Sequence, residues 1–245
     1  MLCDLFGICA GIGSNLFITW VLFLSKELKP LFLPFSTLKE MEGIPRPPTY
    51  ASNTCLCAVI DCTEFYIHKP SLPPSQHRTH SSYKARNTFK LFISISPVLH
   101  INFVSKLYSG CISDKEITSK CRFIEALEPG DHVMTDKGFN MQDLLAQYHV
   151  RLLAPPLMYN GNVNAHSTTE TRRVARKRVH VERIIRSLKA FGILHGVIPL
   201  TMKSYIDSVV TVCAVLVNLQ PRIICETEDN CQQQYNGILE NYLHF

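Results

Sequence analysis

The stretch TFKLFISISPVLHINFVSKLYS (88–109) alternates apolar and polar residues along both of its halves, TFKLFISISP (88–97) and HINFVSKLYS (100–109). Ser96-Pro97 and Val98-Leu99 lie between them. Period-two alternation broken by a turn predicts an antiparallel β-hairpin with one buried face. On its N-terminal side, CAVID (57–61) is a short apolar strand, and KPSLPPSQHRTHSS (69–82) reads as a polar, Pro-containing loop. On its C-terminal side, Ser113 with Glu116 three residues on has the form of a capping box, for a helix running to about Leu127. Pro129-Gly130-Asp131 makes a turn, HVMTD (132–136) a strand, MQDLLAQY (141–148) a short helix and RLLAPP (151–156) another strand. Long helices are expected over 169–191 and 205–219. Strand, hairpin and then alternating helices and strands predict an α/β fold, a mixed sheet flanked by helices.

The 245 residues include 25 Lys+Arg, 20 Asp+Glu and ten Cys, and 46% are apolar. That size can bury a sizeable core, and the composition excludes a disordered or fibrous chain. The net charge of +5 is unevenly spread. Residues 172–189 (RRVARKRVHVERIIRSLK) hold eight Lys/Arg and one Glu, leaving 17 basic and 19 acidic residues elsewhere. So focused a basic patch points to an anionic partner, nucleic acid first.

The cysteines form no CxxC pair and no zinc-finger ladder, and there is no Asn-x-Ser/Thr sequon. A reducing compartment is expected, with most thiols acting as small buried hydrophobes. Cys55 and Cys57 are read as packing residues rather than metal ligands. The apolar runs 16–24 and 209–219 are too short for the ~20 residues a membrane span needs; both are expected to be core helices. Four regions follow: 1–43 helical, 44–56 a linker containing IPRPPTY (44–50), 57–221 the body, and 222–245 an acidic, Gln-rich tail.

Three carboxylates stand out by position. Asp61 ends the strand CAVID, Asp136 ends HVMTD, and Glu182 is the one acidic residue in the basic run. Carboxylates at neighbouring strand ends can converge on one sheet edge, where a packed helix adds a third. Such a cluster calls for a cation, and oxygen ligands favour Mg²⁺ or Mn²⁺. Each residue also has a plainer explanation. Asp-Lys-Gly is a common turn, and Glu182 is spaced to pair with Arg178 and Arg186 on a helix surface. Spacing alone leaves both open.

Five segments carry a resemblance: VIDCTEFYIHKPS (59–71), SSYKARNTFKLFISISP (81–97), INFVSKLYSGCISDKEIT (101–118), PGDHVMTDKGFNMQDLL (129–145) and ETRRVARKRVHVERIIRSLKAFGIL (170–194). Together and in this order they resemble the DDE endonuclease domain of PIF/Harbinger-type transposases, over about residues 57–220. The resemblance implies an RNase H-like fold and a catalytic, metal-binding triad of Asp61, Asp136 and Glu182. It implies two divalent ions, Mg²⁺ or Mn²⁺, with Asp61 bridging them, and attack by water or a DNA 3′-hydroxyl on phosphodiesters. It places Lys84, Arg176, Lys177, Arg178, Arg183 and Arg186 along the DNA path, with Tyr83 and Asn87 beside it. Glu64 and Asp114 fall in family-like words as supporting groups, although Asp114 also suits a helix cap.

Residues 4–35 resemble the end of the helix-turn-helix and linker helix that precede such nucleases, but with one Lys and two acidic residues through Leu28 they suit phosphates poorly. A separate DNA-binding accessory protein is therefore an expected partner, and the nucleus the expected location. Gly11-Ile12-Gly13 lacks the third Gly and the preceding strand of a dinucleotide loop. The leading expectation is a metal-dependent DNA endonuclease derived from a transposase. The alternatives are a catalytically inactive DNA- or protein-binding module, and a nuclear structural partner using the apolar residues 16–35 as an interaction surface.

Overall fold

The computed structural model describes residues 2–51, 53–135, 139, 141–153 and 179–220. Helices α1 (Leu2–Phe6), α2 (Ala10–Phe32) and α3 (Pro48–Ala51) lead into the long strand β1 (Leu56–Tyr66). Next come α4 (Pro73–Thr79), β2 (His80–Ser81), β3 (Arg86–Ile95), β4 (Ile101–Val104) and β5 (Tyr108–Ser109). Helix α5 (Asp114–Lys120), a 3-10 turn (Ile124–Ala126), β6 (His132–Met134), α6 (Gln142–Ala146) and β7 (Arg151–Leu153) follow. Helix α7 is described over 179–189 and is succeeded by α8 (Gly192–His195), a 3-10 segment (Leu200–Ser204) and α9 (Ile206–Leu219). The expected strand end at 154–156, the first part of the expected 169–191 helix and the tail from 222 lie outside the described residues.

β1 and β3 form the spine of a seven-stranded sheet of order β2-β3-β1-β6-β7. They pair antiparallel from Val59↔Ile95 to Tyr66↔Thr88. β6 and β7 add in parallel on the far side of β1, and β2, β4 and β5 share the other edge of β3. This curled mixed sheet flanked by helices is consistent with an RNase H-like fold. The expected hairpin is β3–β4. Its turn closes through Ser96 N–H to the His100 carbonyl at 2.8 Å and Leu99 N–H to the Ser96 carbonyl at 2.9 Å, with Leu99 in the left-handed region (φ +66°).

Strand parity sorts the core into two layers. Val59, Phe65, Leu91 and Ile93 face α7 and α9 and pack with Val181, Leu188, Val209 and Val210. Ala58, Ile60 and Phe92 face α5 with Ile117. There Phe123 gathers Phe92, Phe103 and Phe35, with ring centroids 5.0, 5.6 and 5.7 Å away. α2 lies along α9: Asn218 Nδ2 donates to the Phe32 carbonyl at 2.8 Å, and the Phe17 and Tyr205 rings meet edge-on.

Four local expectations are corrected. Residues 73–79 are helical, because Pro73 and Pro74 fill the first turn, where a missing N–H costs nothing. The helix from Ser113 stops at Lys120, ahead of Arg122 at φ +61°. Its cap is half of the expected box, since Ser113 Oγ accepts from Glu116 N–H while the Glu116 carboxylate pairs with Lys120. The run 16–24 is not a core helix: Val21 is the buried residue of α2, and Trp20, Phe23 and Leu31 are 58%, 52% and 53% exposed. Finally, among the eight described cysteines only Cys57 and Cys213 are buried. Cys57 Sγ donates to the His132 carbonyl, in keeping with a packing role beside exposed Cys55. No described helix is long and apolar enough to cross a membrane.

These placements predict unequal stability costs for two aromatic truncations. Phe123→Ala should destabilise by ~3–5 kcal/mol in urea unfolding, as buried Phe truncations do. Trp20→Ala should stay within ~0.5 kcal/mol, as an exposed substitution does.

Candidate active site

Asp61 sits halfway along β1, half-buried, opposite Ile93 on β3. Its Oδ1 accepts from the Cys62 N–H at 2.7 Å. It shares parity with Val59 and Phe65, so it belongs to the sheet face that α7 covers. On its other side, β1 runs parallel to β6, and their register reaches Val59↔Met134. Asp61 is two residues past Val59. Asp136 is two residues past Met134 in sequence and lies outside the described residues.

α7 docks through Val181 and Leu188, both buried in the same core layer. That rotation leaves Glu182 and Arg186 on an exposed face. Glu182, Arg186 and Lys189 line a cleft of about 590 Å³ together with Glu64, Phe65 and Tyr66 from the end of β1. Lys189 ties this cleft to Asp61. Burial pushes its ammonium below the ordinary lysine range and Lys84 works in the same direction, while Glu64 and Asp61 oppose the shift. Its Nζ also lies 5.5 Å from the Phe65 ring centroid. One ammonium therefore senses two strand carboxylates and the cation of the β2–β3 hairpin while sharing a wall with Glu182.

Behind the cleft, a second charge network fixes the β1 backbone. Lys90 Nζ contacts Asp114 Oδ1 at 3.1 Å, Glu64 Oε1 at 3.9 Å and the Ile112 carbonyl at 2.9 Å. Glu64 Oε2 accepts from Thr88 Oγ1 at 2.9 Å. With side-chain exposures of 8% for Glu64 and 13% for Lys90, that pair is nearly enclosed, while Asp114 is more open. Asp114 is thus a partner of Lys90, and Ser113 is the helix cap. Burial, reinforced by the Asp114 carboxylate, pushes the neighbouring Cys62 thiol up, so it stays protonated.

The other expected positions separate clearly. Lys84 is at the β2–β3 turn, its Nζ 4.5 Å from the ring centroid of exposed Tyr83. Asn87 Nδ2 donates to the Gln76 carbonyl and Thr79 Oγ1, both at 2.8 Å, stapling α4 to β3. Arg186 lines the cleft. Arg183 is exposed outside that lining, beside His180, whose pKa burial lowers and Arg183 lowers further. Arg176, Lys177 and Arg178 lie outside the described residues. Among the described residues no three His, Cys, Asp or Glu side chains converge on one point. Asp61 and Glu182 supply hard carboxylate oxygens, the donor type that Mg²⁺ and Mn²⁺ take.

Sequence reasoning does not single out Lys189 or Lys90. Lys189 is one of eight basic residues in its run, and Lys90 finds its carboxylates 26 and 24 positions away. Compared with known proteins, residues 60–218 match the family model described as DDE superfamily endonuclease. No curated protein and no solved structure matches the chain.

Lys90→Met should destabilise the fold by roughly 2–4 kcal/mol in urea unfolding, because it strands Glu64 in a nearly closed site. Lys90→Met combined with Glu64→Gln should cost less than the sum of the two single changes. Additive costs would show that the two residues are not coupled.

Proposed function

We propose that this chain, which belongs to the DDE superfamily endonuclease family, is a transposase-derived nuclease of the PIF/Harbinger type that cuts DNA phosphodiesters with divalent metal ions. The observation that carries the reading is Lys189. Asp61 influences its titration and it lines one cleft with Glu182, which supports grouping the first and third carboxylates of the proposed triad. Asp136 is the second member, assigned from the T-D-K-G-F word.

In this reading Asp61, Asp136 and Glu182 would hold two Mg²⁺ or Mn²⁺ ions. Bound there, the ions supply Lewis-acid charge to the attacking and leaving oxygens of an in-line displacement. The chain's own groups do the rest. The β1–β3 pairing holds Asp61 at a fixed height, and the Val181 and Leu188 anchors fix the rotation that presents Glu182. Arg186 and Lys189 add positive charge for the phosphate backbone, with Arg176, Lys177, Arg178, Arg183 and Lys84 extending the DNA path. Water oxygen bonds to phosphorus as the P–O3′ bond breaks, leaving a 5′-phosphate and a 3′-hydroxyl, and that hydroxyl is the nucleophile if strand transfer follows. The nucleus is the proposed location and a DNA-binding accessory protein the proposed partner. In organisation, 57–221 is the nuclease body, 1–43 a helical region joined by the 44–56 linker, and 222–245 a tail.

Supercoiled plasmid nicking tests the assignment. The wild type should nick only with Mg²⁺ or Mn²⁺ present. Asp61→Asn, Asp136→Asn and Glu182→Gln should each lose at least ~100-fold in rate, the scale for removing one group that stabilises transition-state charge. Their thermal unfolding should match the wild type. Equal nicking by all four proteins removes the triad, and DNA binding without nicking by any of them indicates the inactive binding module instead.

A further inference from the structure

A second cleft, of about 980 Å³, adjoins the first. The two share Tyr66, and the wall between them continues from His195 and Gly196 on the first side to Val197 on the second. That wall is pinned by a parallel bridge: Ile198 N–H donates to the Tyr66 carbonyl at 2.8 Å, and His68 N–H to the Ile198 carbonyl at 3.0 Å. The opposite wall is α4, stapled to β3 by Asn87. The cleft is therefore bounded by tied-down elements on both sides.

Its chemistry differs from that of the first cleft. No Asp or Glu lines it, whereas Lys69, His77, His80 and Arg86 all do. One tyrosine, Tyr66, lines it with these groups, and a second, Tyr83, lies between the lining residues Ser82 and Ala85 in sequence. Tyr66 is 36% exposed with the Arg86 guanidinium 5.4 Å from its ring centroid. Tyr83, 82% exposed, stands at the β2–β3 turn with Lys84 over its ring. That turn is held by Ser81 Oγ accepting from Lys84 N–H and by Ala85 at φ +51°. Cations that follow a backbone, interleaved with presented aromatic faces, are what single-stranded nucleic acid binding uses. A duplex backbone needs the cations but not the rings. The volume is of the scale that encloses a small-molecule ligand, which suits a few nucleotides of one strand.

We propose that this cleft is a subsite for single-stranded DNA leading away from the proposed scissile position, with Lys69, Arg86, His77 and His80 contacting phosphates and Tyr66 and Tyr83 stacking bases. It rests on the nuclease reading for its polarity toward the first cleft. The binding itself stands on the cleft alone. Neither tyrosine belongs to the metal-holding set, and Asn87 and Ser81 serve as positioning residues that shape the walls.

The test is fluorescence anisotropy of the full chain, without divalent metal, on a labelled single-stranded oligonucleotide and on a blunt duplex of the same sequence. Tyr66→Ala with Tyr83→Ala should weaken single-strand binding ~10-fold or more, as loss of base stacking does, and leave duplex binding unchanged. Phe at both positions should retain wild-type affinity. Lys69→Ala with Arg86→Ala should flatten the salt dependence by about 0.7 log units per log unit of salt for each phosphate that is no longer neutralised. Unchanged single-strand affinity in the tyrosine pair overturns the proposal, and so does an equal loss on both substrates, which marks a general structural effect. The nicking assay separates the two readings. A wild type that nicks although its cleft variants bind normally keeps the nuclease and loses the subsite. A wild type that binds single strands through these residues but never nicks does the reverse.

Discussion

The pairing of β1 with β3 on one side and β6 on the other is the constraint on which the remaining architecture depends. β1 contributes to both core layers, since from Ala58 onward its even and odd residues face opposite helices. A slip of one residue would turn every one of its side chains to the wrong face. Eight consecutive pairs with β3 hold the register, and the Glu64–Thr88 and Glu64–Lys90 contacts reinforce it with side chains that reach across strands. Asp61 is half-buried because of where that register puts it.

A half-buried carboxylate on a central strand is costly unless charge of the opposite sign is near. The structure provides some of that charge from protein. Lys189 comes in from α7 and Lys84 from the β2–β3 turn; burial lowers the pKa of Lys189 and repulsion from Lys84 acts in the same direction, while Glu64 and Asp61 oppose it. Positive charge is thus gathered around Asp61 and Glu182 on the surface that a polyanion would approach. The adjoining second cleft extends the same character away from the carboxylates, with Lys69, Arg86 and Tyr66 and no acidic residue in its lining.

Much of the sheet is legible in the sequence because period-two alternation reports burial on one face directly. Residues 88–109 specify the hairpin, and HVMTD specifies β6. Other features depend on tertiary partners and leave little local trace. Pro73 and Pro74 look like loop residues until a helix begins on them. The apolar stripe of α2 looks like core because periodicity cannot say how much of it a neighbour covers; α9 covers one side, and Trp20 and Phe23 stay outside. Asn87 sits in a word that suggests ligand contact, yet its amide is used on α4. For the candidate site, the positions of Asp61 and Glu182 are readable from their words, and the resemblance supplies their roles. Lys189 and Lys90 are not, since a lysine becomes distinctive only through what it packs against.

The central claim is that Asp61, Asp136 and Glu182 act as one metal-holding set, apart from the internally neutralised Glu64. Calorimetric titration of the metal-free protein with Mn²⁺ measures this without reference to activity. Binding is predicted for the wild type and for Glu64→Gln, and its loss in Asp61→Asn, Asp136→Asn and Glu182→Gln with each protein still folded. Equal Mn²⁺ binding by the wild type and all three triad variants would contradict it.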